Sequence, residues 1–217
     1  MTDLVIRAYR GSDREDVRRV CFETGYMGEP IEWQYRDLRS FAHLFCDWYI
    51  DRFPDHATVV ELDGRVVGYR LGCPDVRDAS LAAHERAYAT RHLLGRALIV
   101  RPGTAGFVWR SAIDLARDRS VLASPVDRAK YPADLHIDLL PVARGAGVGR
   151  RMVTEWLDSR REAGAPGIHL GTWGENSGAA AFFTTLGFEP VGPAALTPGF
   201  RQRDGSRCTV QWMVREL

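Results

Sequence analysis

Polar and apolar positions alternate from residue 134 to residue 139, and this alternation predicts a β-strand with two different faces. One face carries Leu135, Ile137 and Leu139, and the other carries Asp134, His136 and Asp138. Pro141 lacks the N–H group that a strand ladder needs, so the strand is predicted to end before it.

A glycine-rich segment follows this strand, and a helix is predicted to begin inside it. The segment runs from Arg144 to Gly149. Apolar residues then recur at the three- and four-residue steps of an amphipathic helix: Val148, Met152, Val153, Trp156 and Leu157. The predicted order is therefore strand, glycine-rich turn and helix.

The N-terminal part of the chain predicts one strand and two helices. Residues 4–9 form an apolar strand pattern, and Ser12 or Asp13 is suited to cap the helix that follows. Gly25 breaks that helix. A second helical pattern, with an aromatic stripe, covers residues 37–53.

A β-hairpin is predicted next, around Asp63 and Gly64. Two strand-like runs, 58–62 and 65–71, flank this dipeptide. An Asp-Gly pair between such runs is the strongest short-range hairpin signal, because both positions of the favoured turn require a positive φ.

The C-terminal part predicts a strand, a helix and a closing hairpin. The strand covers residues 167–173, and the next helix is capped by Asn176 and ended by Gly187. Residues 188–191 and 209–214 are predicted to pair across a long loop rich in proline, glycine and arginine.

Between the first hairpin and the strand at 134–139, residues 73–132 are too many for a plain loop in a compact domain. Residues 79–99 and 106–118 carry helical patterns, so a helical insertion is predicted. Its apolar content opposes the alternative of a disordered insert: Leu93, Leu94, Leu98, Phe107, Trp109, Ile113 and Leu115.

The glycine-rich segment predicts an anion site. Glycines allow close approach of the backbone to a ligand, and the first N–H groups of a helix have no partner within the helix. A phosphate or pyrophosphate suits such a site. Arg150 occupies the position where the dinucleotide fingerprint needs its third glycine, and the Gly-Lys-Ser/Thr of a Walker loop is missing. A tight strand-to-helix connection without a ligand is the alternative.

Composition narrows the class of protein. The chain has 217 residues, of which 45% are hydrophobic and 26% charged, as expected for one globular domain. A net charge of +1 gives no basic field for nucleic acid. The N-terminus lacks the pattern of a signal peptide, and no apolar run is long enough to span a membrane.

The cysteines are scattered along the chain, without a Cys-x-x-Cys pair: Cys21, Cys46, Cys73 and Cys208. This spacing opposes a zinc site or a disulfide framework and fits a reducing cytoplasm. His136 and His169 lie in apolar strands, where a hydrogen-bonded core histidine is the expected role, and no third ligand is spaced with them. No metal site is therefore expected.

Two motifs together resemble the GNAT superfamily, the acyl-CoA-dependent N-acyltransferases. The first is Arg-x-x-Gly-x-Gly, beginning at Arg144, after a strand that ends in Leu-x-Pro. The second begins at Asn176 and runs through Ala179 and Phe183 to Gly187 and Phe188. The resemblance implies an α/β (α+β) GNAT fold. Its mixed, mostly antiparallel sheet of about seven strands would be splayed at the cofactor strand, flanked by helices and interrupted by the insertion.

The resemblance also implies acetyl-CoA as cofactor and an amine as acceptor. The backbone N–H of Leu139 would stabilise the oxyanion, and Arg144 would lie near the phosphates. Residues of the loop and of the second motif would hold the cofactor: Leu139, Leu140, Arg144, Gly145, Ala146, Gly147, Val148, Gly149, Asn176, Ala179, Phe182 and Phe183.

Residues near the expected thioester could handle the acceptor. Asp138 is the first candidate for the general base, and a buried structural carboxylate that forms a cap or pairs with an arginine is its alternative. The other candidates on the acceptor side share a place on or beside the two strands: Tyr131, Asp134, His136, Trp173 and Glu175. For Tyr131 and Trp173 the alternative is aromatic core.

One position departs from the superfamily pattern. A tyrosine usually protonates the departing thiolate, whereas this chain has Phe183.

The segment from Tyr131 to Pro141, with residues 167–171, also resembles bacterial homologues of the acetyltransferase-like C-terminal domain of O-GlcNAcase. Two functions are therefore carried forward: an N-acetyltransferase that acts by direct attack, and a catalytically silent acetyl-CoA-binding module. The insertion would cover the acceptor side, and a monomer or homodimer is expected.

Overall fold

The computed structural model describes residues 4–77, 84, 87, 91, 92, 95, 97–117 and 124–217. Its strands are β1 (Val5–Ala8), β2 (Ala57–Leu62), β3 (Arg65–Cys73), β4 (Ala133–Leu139), β5 (Gly167–Trp173), β6 (Glu189–Pro190), β7 (Ala195–Arg201) and β8 (Arg207–Glu216). Its helices are α1 (Arg14–Thr24), α2 (Leu38–Ala42), α3 (Trp48–Arg52), α4 (Ala105–Arg117), α5 (Val148–Glu162) and α6 (Ser177–Thr184).

The predicted helices of the N-terminal part are confirmed, with one irregularity. A π turn, His43–Asp47, joins α2 to α3 within the range predicted as a single helix. Asp37 caps α2 by accepting a hydrogen bond from the Ser40 N–H at 2.9 Å. The aromatic stripe of this segment is packed in the core at Phe41 and Trp48, which are both buried.

The predicted hairpin is also confirmed. β2 and β3 pair in antiparallel fashion, and Asp63 and Gly64 between them have φ values of 50° and 77°. These are the positive values that the turn requires, which is why an Asp-Gly dipeptide forms it at low cost.

These eight strands belong to one mixed sheet, in the order β1-β2-β3-β4-β5-β8-β6, with β7 paired to β8. Among the described strands, β4 and β5 form the one parallel pair. Helices cover both faces. Core residues of α1, α2 and α3 pack with Tyr69 and Leu71 on one face. Core residues of α5 and α6 pack with Leu135 and Ile168 on the other face.

The loop predicted between residues 191 and 209 is wrong in part, because Ala195–Arg201 forms strand β7. β7 pairs with β8 at Ala195 and Leu196, and its register shifts before Arg201. The proline and glycine content concealed this strand, since both residues are poor strand formers. Over the described residues the sheet therefore has eight strands, where about seven were expected.

The insertion is described in part. The first predicted helix, 79–99, lies mostly outside the described residues, as do Leu93 and Leu94. The second is confirmed as α4, which packs on β7. Of the apolar residues named in the insertion, Leu98 and Phe107 are buried, whereas Trp109 and Ile113 are exposed. Among the described helices, none has the length and apolar character needed to cross a bilayer.

A buried ion pair attaches α4 to β7. Asp114, whose side chain is 4% exposed, accepts two hydrogen bonds from Arg201 at 2.8 and 3.0 Å. It also accepts one from the Gly199 N–H at 3.0 Å. The hydrogen bonds from Arg201 lower the pKa of Asp114 despite its burial.

We expect Asp114→Ala to lower the free energy of unfolding by about 3 kcal/mol, because it leaves the guanidinium of Arg201 unpaired in a nearly buried place. Urea denaturation measures this loss. Asp158→Ala, which removes an exposed ion pair with Arg161, is the control and should cost under about 1 kcal/mol.

The loss should depend on pH. Since the folded-state pKa of Asp114 is lowered, its stabilising effect is present above the unfolded pKa of about 3.9 and fades as the pH falls further. Parent and Asp114→Ala should therefore converge in acid. Equal unfolding free energies at neutral pH would contradict the role given to this pair.

Candidate active site

The centre of the site is a gap in the sheet between β4 and β5. The two strands pair only at Ala133 with Ile168 and at Asp134 with His169. Beyond these pairs they diverge, as the sequence resemblance led us to expect. A cavity of about 220 Å³ occupies the gap. Its walls include His136, Asp138, Trp173, Asn176, Ala179 and Phe183 among the predicted site residues, together with Cys21, Phe45 and Thr197.

The backbone N–H of Leu139 faces this gap. Leu139 lies opposite Gly68 of β3, and the next N–H, of Leu140, donates to the carbonyl of Val67 at 2.8 Å. In an antiparallel ladder such a bond flanks a pair that is not itself hydrogen-bonded, so the Leu139 N–H points away from β3. It therefore points toward β5 at the level where β5 has diverged.

The glycine-rich loop lies directly after this strand and has the conformation of an anion site. Gly145 and Gly147 have φ values of 76° and 77°, and a Cβ on either would meet no atom within 4 Å. Gly147 stands at the N-terminal cap of α5. Within the described part of the chain, no hydrogen bond is formed by any N–H from Gly145 through Gly149.

These features fit a pyrophosphate. The loop presents unpaired N–H groups and the positive end of a helix dipole, with open space in front of them. Gly149 is more confined, because a Cβ there would lie 3.1 Å from the Leu139 side chain and 3.7 Å from Phe182. The third glycine thus permits close packing of α5 on β4 and α6.

Arg144 has a different environment from the one expected near phosphates. Its guanidinium donates to the carbonyl of Leu139 at 2.9 Å and to that of Gly28 at 2.6 Å. It therefore joins the start of the loop to the segment after α1.

Arg150, the first exposed arginine of α5, donates to the Thr185 hydroxyl at 2.8 Å, just beyond α6.

The second motif forms the other wall of the gap. Asn176 caps α6 as predicted, accepting from the Ala179 N–H at 3.0 Å. Gly187, with a φ of 78°, follows the end of that helix. Phe183 is 7% exposed and packs against Phe188, so a phenyl ring without a polar group lines the cavity here.

Asp138 belongs to a hydrogen-bonded group on the α1 side of the gap. Its Oδ2 accepts from the Tyr69 hydroxyl at 2.5 Å and lies 3.1 Å from Nε2 of His136. The same nitrogen is 3.1 Å from the Tyr69 hydroxyl. Among the described residues, none bonds Oδ1. The side chains of His136 and Asp138 are 28% and 23% exposed, which leaves both accessible from the cavity.

The protonation of this group follows from its burial and charges. Burial, reinforced by the charge of Asp138, raises the pKa of Tyr69 well above its usual value, so the phenol keeps its proton and donates it. Burial alone would lower the pKa of His136, but hydrogen bonds to Asp138 and Cys21 raise it to about 10. His136 and Asp138 therefore form an ion pair at neutral pH.

Three of the predicted acceptor-side residues lie elsewhere. Asp134 is at the paired end of β4 and accepts from the Tyr49 hydroxyl at 2.5 Å. With His169 it lines a separate cavity of about 140 Å³. Tyr131 precedes that end of the strand, and its carbonyl is 2.7 Å from Nδ1 of His169. Glu175 binds β8, accepting from the N–H and hydroxyl of Thr209 at 2.9 and 2.8 Å.

Sequence reasoning missed several residues that the fold brings to the site. Tyr69 lies within the predicted hairpin strand 65–71 and was not predicted as a site residue. Thr197 lies in the segment predicted as a loop, and its buried hydroxyl, in the cavity wall, has no partner among the described residues. Cys21 and Cys46, far apart in sequence, come within 4.8 Å of a nitrogen of His136 and of each other, measured between ligand atoms.

Several solved protein structures resemble this chain over nearly its whole length. The crystal structure of SsHAT is 30% identical in sequence, with a TM-score of 0.72, and the match covers 99% of this chain and 98% of that chain. Polyamine N-acetyltransferase of Drosophila melanogaster, which forms N-acetylagmatine, is 18% identical, with a TM-score of 0.59 and 99% and 100% coverage. The yncA protein of Salmonella typhimurium, solved with its cofactor acetyl-CoA, is 16% identical, with a TM-score of 0.56 and 99% and 94% coverage. The last two likenesses show the fold alone.

A comparison of this sequence with protein families identifies the family of the chain. The model of the acetyltransferase (GNAT) family matches residues 22–188, most of the chain. Acetyl-CoA is the cofactor of this family, which confirms the cofactor expected from the sequence. The splayed strands, the glycine loop with its unpaired N–H groups and the capped α6 fit that cofactor. The chain therefore belongs to the GNAT acetyltransferase family.

Proposed function

We propose that this protein transfers the acetyl group of acetyl-CoA to a primary amine by direct attack, in the gap between β4 and β5. The observation that carries the proposal is the position of the Leu139 N–H. It is directed away from β3 toward the gap, on the strand that carries Asp138 and leads into the glycine loop. A donor there suits the oxyanion that forms when an amine attacks a thioester.

Backbone groups would do most of the cofactor binding. N–H groups from Gly145 to Gly149 would hold the pyrophosphate, with Leu140 at the entrance of the loop. Asn176, Ala179, Phe182 and Phe183 would line the path of the pantetheine arm. Acetyl-CoA, when bound, supplies the thioester carbon that the amine attacks. Holding both reactants in one gap supplies a large part of the rate.

Asp138 would accept the proton of the attacking amine. Its Oδ2 is held by Tyr69 and His136, while Oδ1 is unbonded among the described residues. A fixed carboxylate with one free oxygen at the cavity wall is a suitable base. The structural alternative also has support, because the same contacts let Asp138 simply hold Tyr69 and His136 in the core. Its partner in that case is a histidine rather than the arginine considered from the sequence.

The acceptor would approach from the side of α1, α2 and the insertion. Trp173 and His136 line the cavity on that side, and the free hydroxyl of Thr197 offers a polar contact to the acceptor.

We further propose one domain over residues 1–217, with residues 73–132 inserted to shape this side. Support comes from a chain of ring contacts in which Phe107 of α4 packs on Phe200, and Phe200 on Trp173.

A second function is favoured by Phe183. No hydroxyl at that position can protonate the departing thiolate, so a silent acetyl-CoA-binding module is the alternative. The resemblance to bacterial homologues of the O-GlcNAcase C-terminal domain is compatible with it. Coenzyme A thiolate can nevertheless leave without that proton, so Phe183 does not exclude transfer. Asp134, Tyr131 and Glu175 would have supporting roles in either case, since their polar groups already bond protein atoms.

The test is the release of free CoA from acetyl-CoA, followed with a thiol reagent in the presence of a panel of amines. The panel includes diamines, aminoglycosides, lysine-containing peptides and peptides with free N-termini. We expect release that depends on one class of amine and exceeds the release without amine. Tight binding of acetyl-CoA with no amine-dependent release across the panel would favour the silent module.

We also propose that the protein acts in the cytoplasm as a monomer or homodimer. All four cysteines are buried and none forms a disulfide with another described cysteine, which suits a reducing compartment. The balanced net charge of +1 gives no reason to expect nucleic acid as a partner. Measuring the mass in solution by light scattering would distinguish the two oligomeric states.

A further inference from the structure

Two thiols and an imidazole converge beside the proposed base. Cys21 comes from the buried face of α1, Cys46 from the π turn after α2, and His136 from β4. Their ligand atoms all lie within 4.8 Å of one another. These elements are distant in sequence, so the spacing of the cysteines gives no sign of the cluster.

We propose that Cys21, Cys46 and His136 form a binding site for a thiophilic divalent cation such as Zn²⁺. Two thiolates and one imidazole are a donor set that zinc prefers, and sites with three protein ligands keep a fourth position open. In a tetrahedral site with Zn–S distances of about 2.3 Å, ligand atoms lie a little under 4 Å apart. Since no two ligand atoms are more than 4.8 Å apart, the cluster needs to contract by at most about 1 Å to reach that geometry.

The surroundings of His136 support this assignment. Asp138 engages its Nε2 at 3.1 Å, which leaves Nδ1 available as the ligand. A metal-bound histidine commonly donates its other N–H to a carboxylate, which fixes the ring and raises its basicity as a ligand. Tyr69 stacks on the same ring, with centroids 5.7 Å apart and an angle of 12° between the planes.

The position of Cys46 and the access route give further support. Cys46 lies in the π turn, a local distortion that often marks functional sites in helices. Its Sγ is 3.4 Å from the Tyr69 hydroxyl. Cys21 and His136 both line the central cavity, so an ion could reach them from solvent and take its fourth ligand from that side.

Binding of the cation can be written as a step that balances in charge and atoms. Each thiol releases its proton to the solvent, and the two thiolates together neutralise the charge of the ion. His136, which is protonated at neutral pH, likewise releases one proton to the solvent and coordinates as neutral imidazole. No oxidant or reductant takes part. If the proposed function holds, an ion here would occupy the acceptor end of the cavity and hinder transfer; the binding itself does not depend on that function.

The test uses Co²⁺ as a spectroscopic substitute for Zn²⁺, with the reduced full-length protein. We expect one Co²⁺ per chain, with thiolate-to-cobalt charge-transfer absorption that excess Zn²⁺ abolishes. Cys21→Ala and Cys46→Ala should each reduce this absorption and weaken Co²⁺ binding at least tenfold. Cys208→Ala, a change at an equally buried thiol outside the cluster, should leave both unchanged.

Circular dichroism checks that each variant folds. If one cysteine variant does not fold, the other cysteine variant still tests the site. The melting temperature of the parent is a further measurement: Zn²⁺ should raise its Tm, because the ion binds the native state. No charge-transfer absorption in the parent, or equal absorption in the folded Cys46→Ala protein, would overturn the proposal.

Discussion

Asp138→Asn is expected to lower the turnover of acetyl transfer by about 10²–10⁴-fold, the usual contribution of general-base catalysis. Asparagine keeps the size of the side chain and can still accept from the Tyr69 hydroxyl through its amide oxygen. It cannot take a proton from the amine. Steady-state turnover with the best amine of the panel measures the loss.

The affinity for CoA should hardly change in Asp138→Asn, because the proposed cofactor contacts come from the glycine loop and α6. Asp158→Asn, which removes one carboxylate from the exposed face of α5, is the control and should keep full turnover. Undiminished turnover of Asp138→Asn across the pH range would remove Asp138 from the mechanism. A folded enzyme is required for that conclusion. Loss of the native fold would instead favour the structural role of this carboxylate.

Gly147→Asp is expected to weaken CoA binding by more than about 10²-fold. The residue has a φ of 77°, so a side chain adds strain of about 1–2 kcal/mol. The new carboxylate would also face the pyrophosphate, and two like charges about 4 Å apart near a protein surface repel by about 4 kcal/mol. Each 1.4 kcal/mol is a tenfold change in affinity. Isothermal titration calorimetry with CoA measures the effect.

Gly205→Asp provides the matched control for that variant. Gly205 has a φ of 87° with open space around it, in the turn between β7 and β8. Strain and added charge are therefore similar, but no phosphate is expected nearby. The control should lose some stability and keep its affinity for CoA. Equal affinities for CoA in parent and Gly147→Asp would place the cofactor elsewhere.

The sequence by itself determined those parts of the fold that depend on local chemistry. Alternation of polar and apolar residues predicted β4, and the Asp-Gly pair predicted the β2–β3 hairpin. Asn176 predicted the cap of α6. The glycine loop was predictable for the same reason, since the conformation of a left-handed glycine and the unpaired N–H groups of a helix start are properties of a few neighbouring residues.

Only the tertiary structure decided what surrounds those elements. β7 lies in a segment poor in strand formers, and pairing with β8 overrides that local preference. The polar face of β4 was predicted from the sequence, but the partners of its side chains were not. Tyr69 and His136 meet Asp138 in the gap, whereas Asp134 lies at the closed end with Tyr49. Residues four positions apart on one face of a strand are separated by about 13 Å, so a shared face does not imply a shared site.

The cysteine cluster is the clearest case of a feature that sequence spacing cannot predict. Cys21, Cys46 and His136 meet because α1 and the π turn pack on the same face of the sheet as the polar side of β4. Sequence patterns describe periodicity within an element, whereas such convergence depends on which faces of different elements pack together. That arrangement is set by the burial of the whole core, and it brought two thiols of the core to the wall of the proposed active site.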